Sequence, residues 1–255
     1  GQDAQELVHV KIKFKKRTNS FEKEDIESTV INLSEFPEDQ ELLETTYYDR
    51  KALEHWSKDI VSENKVDLQV NGLEDLLSSP HPFIQLLHDS LHLAYVNNIT
   101  CINVPKNGEK GLKGIVTNED VYNAYPHPDK AIDITLRGHQ IKKMLEYTYS
   151  YIQFEQNQLS MTIIDETLCT LWQGFDYEVD MSAPRFDRVN IKNIELDEKY
   201  RVTMTDYCYR NYRQYLEDES ILHSTYDRPM SSLIAEKLNQ PDYYLKLDSN
   251  FSVAY

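Results

Sequence analysis

The segment that decides the fold is residues 115–154, IVTNEDVYNAYPHPDKAIDITLRGHQIKKMLEYTYSYIQF. A short helix should begin after Thr117, because Asp120 lies three residues on and each of the two side chains can cap the other's backbone amide. The segment YPHPDK (residues 125–130) ends this helix, and residues 131–136 alternate as a strand does. A long helix should begin at Gly138. Its buried stripe is predicted from the apolar spacing of Ile141, Met144, Leu145, Thr148/Tyr149 and Ile152.

A capped helix, a rigid turn, a strand and an amphipathic helix form a unit that packs onto a sheet. The rest of the chain extends this pattern to an α+β fold, with helices outside a largely antiparallel β core. Residues 19–32 read as a strand or a short helix, and residues 250–255 as a last strand or a tail. Strands are predicted at 7–14, 99–104, 159–164, 175–180, 189–194 and 200–205, and helices at 38–61, 82–96 and 226–239.

The charge of the chain limits its partners. Its 255 residues carry a formal net charge of -16. Affinity for DNA or RNA depends on Lys and Arg neutralising phosphates, so a polymeric nucleic acid is an unfavourable partner. A single mononucleotide stays possible, because a local pocket can differ in sign from the whole protein. No apolar run approaches about 18 residues, so we expect neither a membrane span nor a signal peptide in this chain.

The cysteines and histidines give weak signals for a metal or disulfide site. Cys101, Cys169 and Cys208 are far apart and form no CxxC pair, which indicates neither a disulfide framework nor a zinc site. His88 and His92 share a helix face and could bind a metal, but no third ligand is visible nearby, which favours structural or surface histidines. The loop PKNGEKGLKG (residues 105–114) lacks the spacing of a phosphate-binding loop and is better read as a surface turn.

A second block, residues 172–207, supplies the remaining motifs. The motif begins with two earlier segments, from Gly114 to Tyr122 and LRGHQIKKMLE at residues 136–146. Its remaining positions follow in the same order along the chain. These later positions are Gly174, Tyr177, Asp180, Ser182, Pro184, Arg188 and Val189. Over roughly residues 55–240 the chain thereby resembles the C-terminal domain of the 5'-nucleotidase / 2',3'-cyclic-nucleotide 2'-phosphodiesterase family. The resemblance implies a layered α/β/β/α fold with an N-terminal strand-helix extension.

In that family, two divalent metal ions in an N-terminal metallophosphatase domain perform the hydrolysis, because they generate hydroxide and neutralise charge on the attacked phosphorus. The family's metal-binding phrases, D-x-H, G-N-H-D/E and G-H-x-H, do not occur in this sequence. The resemblance therefore implies no metal, no cofactor and no hydrolase activity in this chain alone. It implies a metallophosphatase domain of the same polypeptide as partner, and a location that is extracellular, at the cell surface or periplasmic.

The family's C-terminal domain holds the nucleoside, with two aromatic rings sandwiching the base. By position, the resemblance places the first ring at His127, a polar contact at Asp129 and the second ring at Tyr207. Two departures bear on this pocket. The loop beginning at Asn103 lacks the arginine of many members, as in some members of the cyclic-phosphodiesterase type. A bulky segment, RNYR at residues 210–213, replaces a Gly-rich phrase and could partly close the pocket.

Two hypotheses follow for the whole chain. In the first, residues 1–60 are the tail of a preceding domain with a linker helix, and residues 61–255 are a nucleoside-recognition domain serving a separate catalytic domain. In the second, the pocket is degenerate and the chain is a non-catalytic binding or scaffold module. The sequence alone leaves both open.

Overall fold

The computed structural model describes residues 5–64, 66–103, 112–155, 158–161, 169–216 and 220–254. It divides into two compact units, Gly1–Glu54 and His55–Tyr255. In the described part of the chain, no helix is both long and apolar enough to cross a bilayer.

The first unit is a hairpin followed by helices. Strand β1 (Glu6–Lys16) pairs antiparallel with β2 (Phe21–Asn32), and a short 3-10 helix (Leu33–Glu35) and helix α1 (Gln40–Thr45) follow. Helix α2 (Tyr47–Lys58) continues the chain into the second unit. One face of the hairpin is apolar, with side chains between 45% and 61% exposed: Val8, Val10, Ile12, Ile26 and Val30. On the other face, Lys13 pairs with Asp25 and Glu27.

The second unit alternates helices and short strands. The bounds in chain order are β3 (Ile60–Asn64), α3 (Leu73–Leu77), α4 (Pro82–Ala94), β4 (Ile99–Asn103), β5 (Gly114–Thr117), α5 (Asn118–Ala124), β6 (Lys130–Arg137), α6 (Gly138–Ser150), β7 (Ile152–Glu155), β8 (Gln158–Met161), β9 (Thr170–Gln173), β10 (Tyr177–Asp180), β11 (Val189–Ile191), β12 (Lys199–Thr205), α7 (Asp206–Leu216), β13 (Ile221–Pro229), α8 (Met230–Leu238) and β14 (Phe251–Ala254).

The main sheet has the strand order β13-β6-β12-β4-β9. Within this sheet the β12–β4 pair is parallel, and the other three pairs are antiparallel. Neighbouring residues of β4 point to opposite faces of the sheet. Thr100 bonds to His88 on α4, whereas Cys101 contacts Cys208 on α7. Helices therefore cover both faces of the sheet, and the predicted α+β fold is confirmed.

The deciding segment folds as predicted. Thr117 Oγ1 accepts a hydrogen bond from the Asp120 amide (3.3 Å), and Asp120 Oδ2 accepts one from the Thr117 amide (2.8 Å). This capping box begins α5, and β6 and α6 follow. One detail was wrong: Ile152 lies in β7 rather than at the end of α6, although its side chain is buried as expected.

Elsewhere the structure corrects the predicted boundaries. Residues 226–229 belong to strand β13 rather than to the terminal helix, and Ile60 lies in β3 rather than in a helix. Helix α7 was not predicted. The ambiguous segments 19–32 and 250–255 contain the strands β2 and β14. Most of the predicted loop 105–114 and part of the predicted strand 159–164 lie outside the described residues.

Candidate functional site

The candidate site lies at the edge of the main sheet where β12 ends and β6 begins. These strands are antiparallel neighbours, with Ala131 opposite Thr205. The Lys130 amide donates a hydrogen bond of 2.8 Å to Asp206 Oδ1 at the start of α7. The loop before β6 and the first turn of α7 therefore meet at one edge. The loop carries His127 and the first turn carries Tyr207.

The loop is organised around the carboxylate of Asp129. The Tyr125 hydroxyl donates to Asp129 Oδ2 at 3.0 Å, and the Met230 amide donates to the Asp129 carbonyl at 2.8 Å. Asp129 is buried, at 4% exposed. Tyr125 is fully buried and meets the half-buried His127 edge to face, with the ring centroids 5.9 Å apart.

Burial and a neighbouring carboxylate shift the titration of Asp129 at this edge. Burial raises the pKa of Asp129 above its ordinary value, and the nearby Asp206 carboxylate raises it further. The hydrogen bond from Tyr125 and the charges of His127 and Arg210 act in the opposite direction but do not cancel the rise. Burial, followed by the proximity of Asp129, also raises the pKa of Tyr125 well above its ordinary value. The Tyr125 hydroxyl therefore stays a hydrogen-bond donor.

Helix α7 provides the other side of the edge. Tyr207 is half-buried in its first turn. The Tyr212 side chain, one of the bulky residues in place of the family's Gly-rich phrase, is 2% exposed and packs edge to face on Tyr147 with the centroids 5.5 Å apart. Arg210 and Arg213 are exposed. The tyrosine ring of this segment is therefore part of the core.

Strand β4 ends at the same edge. Asn103, its last residue, is buried, and its Oδ1 accepts a hydrogen bond of 3.0 Å from Thr205 Oγ1. The residues that follow, 104–111, include the position of the missing arginine and lie outside the described residues. Asn103 is the last described residue before that position.

The structure thus brings His127, Asp129 and Tyr207 to one sheet edge from two separate elements. Sequence reasoning missed Tyr125 and Asp206, which fix the loop and connect it to α7. Tyr125 and Asp129 are four residues apart, a spacing that brings side chains together on a continuous helix. The helix ends before Asp129, so this spacing alone did not predict the contact.

The histidine pair on α4 has no metal-binding geometry. His88 is fully buried and its Nδ1 lies 2.7 Å from Thr100 Oγ1, whereas His92 is exposed. Across the described ranges, no three His, Cys, Asp or Glu side chains form a group that could hold a metal ion.

Comparison with known protein families identifies the domain family of this chain. Residues 56–215 match the family model described as "5'-nucleotidase, C-terminal domain". The matched range contains all three predicted site residues. No curated protein matches the chain.

Solved structures share the fold at low sequence identity. A putative 5'-nucleotidase from Staphylococcus aureus has a TM-score of 0.73 and 20% identity over 95% of this chain and 49% of its own. A 5'-nucleotidase precursor from Thermus thermophilus has a TM-score of 0.63 and 18% identity, covering 98% of this chain and 50% of its own. For the NAD nucleotidase of Haemophilus influenzae the TM-score is 0.57 and the identity 12%, over 85% of this chain and 42% of its own. The chain thus spans about half the length of these proteins or less.

Proposed function

Because the chain belongs to the 5'-nucleotidase C-terminal-domain family, we propose that it is the substrate-recognition domain of a nucleotide-hydrolysing metallophosphoesterase, of the 5'-nucleotidase or 2',3'-cyclic phosphodiesterase type. The observation that carries the proposal is the hydrogen bond from the Lys130 amide to Asp206. That bond joins the loop of His127 to the helix turn of Tyr207, and this edge is where we expect the nucleoside to bind.

Stacking is the main source of affinity in this proposal. A nucleobase enters between the imidazole of His127 and the phenol of Tyr207, and stacking on an aromatic side chain is worth about 1–3 kcal/mol per base. Asp129 Oδ1 then accepts a hydrogen bond from the base edge or the ribose. Tyr125 holds the carboxyl group of Asp129 in place from the other side.

Hydrolysis belongs to a different part of the enzyme. The described residues offer no metal-binding group, and no step of phosphoester cleavage is assigned to them. The two metal ions are held by an N-terminal metallophosphatase domain of the same polypeptide. Metal ions held there would supply the nucleophile and neutralise charge on phosphorus.

The first unit is the contact with that catalytic domain. The apolar hairpin face around Val10 and Ile12 is about half exposed, and a two-stranded hairpin alone is only marginally stable in water. Burying this face against the sheet of a preceding domain stabilises the hairpin. Residues 1–60 then serve as the tail of that domain and the linker to the recognition domain.

The proposed location is outside the cytoplasm: extracellular, at the cell surface or periplasmic. It is supported by the family's usual location and by the description of the Thermus thermophilus relative as a precursor. Fractionation of cells that express the full-length protein tests this, and recovery in the cytosol contradicts it.

The recognition role is tested by titrating adenosine and cytidine into the protein and following saturation transfer to the nucleoside protons by NMR. Tyr207→Ala should weaken binding about 5- to 150-fold, which corresponds to 1–3 kcal/mol of stacking, and His127→Ala should weaken it in the same direction. Tyr244→Ala is the matched control, because Tyr244 is 77% exposed and lies on a different segment.

Lack of binding at millimolar nucleoside would contradict the proposal and favour the non-catalytic scaffold module. The bulky residues of α7 in place of a Gly-rich phrase are the feature that would explain that result. The protein alone, supplied with a divalent metal and either a 5'-nucleotide or a 2',3'-cyclic nucleotide, should release no product.

A further inference from the structure

Two thiols that are distant in sequence meet in the core. Cys101 lies in the middle of β4 and Cys208 in the first turn of α7, and their Sγ atoms are 3.5 Å apart. Their side chains are 0% and 1% exposed. No local sequence pattern indicates this pair, because the two residues are separated by 107 positions.

The geometry favours a covalent bond. Bonded sulfurs lie about 2.05 Å apart, so each Sγ has to move by only about 0.7 Å, within reach of a small side-chain rotation. Both cysteines are held by regular elements. The Cys208 amide donates to Thr205 Oγ1 at 3.2 Å, and Cys101 sits in the paired centre of the sheet opposite Met204 and Trp172.

We propose that Cys101 and Cys208 form an intramolecular disulfide when the protein is made in an oxidising compartment. The oxidant is the disulfide of a protein thiol oxidoreductase. One cysteine thiolate attacks that disulfide and forms a mixed disulfide, and the second cysteine then displaces the oxidoreductase. The Cys101–Cys208 bond forms, the oxidoreductase disulfide is reduced to two thiols, and these receive the two protons that the cysteines lose.

The timing of the reaction follows from burial. Burial, followed by the contact with Cys208, raises the pKa of Cys101 well above its ordinary value. Because the thiolate is the attacking species, the folded reduced protein reacts slowly. The bond therefore forms while the chain folds, and once formed it is shielded from reductants.

The bond ties α7 to the sheet at the candidate site. Cys208 directly follows Asp206 and Tyr207, which lie at the meeting edge of β6 and β12. The cross-link fixes the first turn of α7 against β4. This inference needs no bound nucleoside, so it stands or falls independently of the proposed function.

Thiol counting tests the proposal on the whole chain. Protein exported to a bacterial periplasm and protein made in the reducing cytosol are each unfolded in urea with excess maleimide and weighed intact. The periplasmic form should carry one maleimide, on Cys169, and the cytosolic form three. A proteolytic digest without reductant should contain a peptide that joins Cys101 to Cys208 and is about 2 Da lighter than the sum of the two free peptides.

Single substitutions identify the pair. Cys169→Ala is the matched control, because Cys169 is also fully buried and directly precedes β9, the strand beside β4. It should keep the cross-link and show no maleimide, whereas Cys101→Ala and Cys208→Ala should each show two. Dithiothreitol reaches the disulfide as the chain unfolds on heating, so it should lower the thermal midpoint of the periplasmic wild type and of Cys169→Ala only.

Three labelled cysteines in the periplasmic wild type would overturn the proposal. A disulfide that contains Cys169, or one that joins two chains, would also overturn it. These readouts on the wild type stay decisive even if a variant fails to fold.

Discussion

Replacing His88 with glutamine should reduce the loss in the free energy of unfolding that occurs in mild acid. The imidazole is fully buried, its Nδ1 lies 2.7 Å from Thr100 Oγ1, and its Nε2 has no hydrogen-bond partner among the described residues. Burial lowers the pKa of His88 from 6.5 to about 3, and the charge of His92 adds to this effect. The folded state therefore keeps His88 neutral across the range in which the unfolded chain becomes protonated.

The sign and size follow from proton linkage. Below pH 6.5 the unfolded chain binds a proton that the folded state does not, so this contribution to stability is complete above pH 6.5 and is lost as the pH falls. Between pH 7.5 and 5.5, protonation of His88 stabilises the unfolded state by about 1.4 kcal/mol. This corresponds to about a tenfold increase in the unfolding constant.

Urea unfolding at these two pH values, followed by the fluorescence of the buried Trp172, measures the effect. His88→Gln should lose about 1.4 kcal/mol less than the wild type over this interval, because glutamine does not titrate. His55→Gln, an exposed substitution on α2, is the control and should follow the wild type. An equal loss in wild type and His88→Gln, or an NMR titration of His88 in the folded protein near pH 6.5, would refute the reasoning.

Three further substitutions test other parts of the fold, each by its free energy of unfolding. Gly174→Ala should lower the free energy of unfolding more than Gly72→Ala does. Both glycines have positive φ, which strains other residues by about 1–3 kcal/mol. Of the two, only Gly174 would bring an added Cβ into a clash with a backbone oxygen, that of Asn98. Equal costs would contradict this. Tyr125→Phe should cost about 1–3 kcal/mol by leaving Asp129 without its donor, whereas the exposed Tyr122→Phe should be near neutral. Glu146→Gln should cost a similar amount, because the buried carboxylate accepts from the Arg188 and Val189 amides at 3.0 and 2.9 Å; the exposed Glu178→Gln is its control. A neutral Tyr125→Phe or Glu146→Gln would refute the corresponding contact.

Several motif residues could be recognised from the sequence because they determine the fold. Arg188 donates from Nη1 to the Tyr149 carbonyl at the end of α6 and to the Ile152 carbonyl at the start of β7. Glu146 accepts the consecutive amides of Arg188 and Val189, where β11 begins. Gly174 fits where a side chain would meet the Asn98 carbonyl. These contacts need particular residue types at fixed spacing, so the motif predicts the fold and leaves activity undecided.

The features that the sequence did not predict depend on long-range contacts. The contact between Cys101 and Cys208 depends on β4 and β12 being parallel neighbours, and the bond from Lys130 to Asp206 depends on the register of β6 on β12. No local pattern encodes either feature. Helix α7 was missed because its residues, DYCYRNYRQYL, include many tyrosines and few strong helix formers, and tertiary packing of Tyr212 and Leu216 decides the outcome.

The central proposal, that this edge of the sheet holds a nucleobase, is tested most directly by a crystal structure of the protein soaked with adenosine. Electron density for the adenine ring should lie between the imidazole of His127 and the phenol of Tyr207, with a base or ribose donor within hydrogen-bond distance of Asp129 Oδ1. Adenosine bound elsewhere, or an empty site at a saturating concentration, would contradict the proposal.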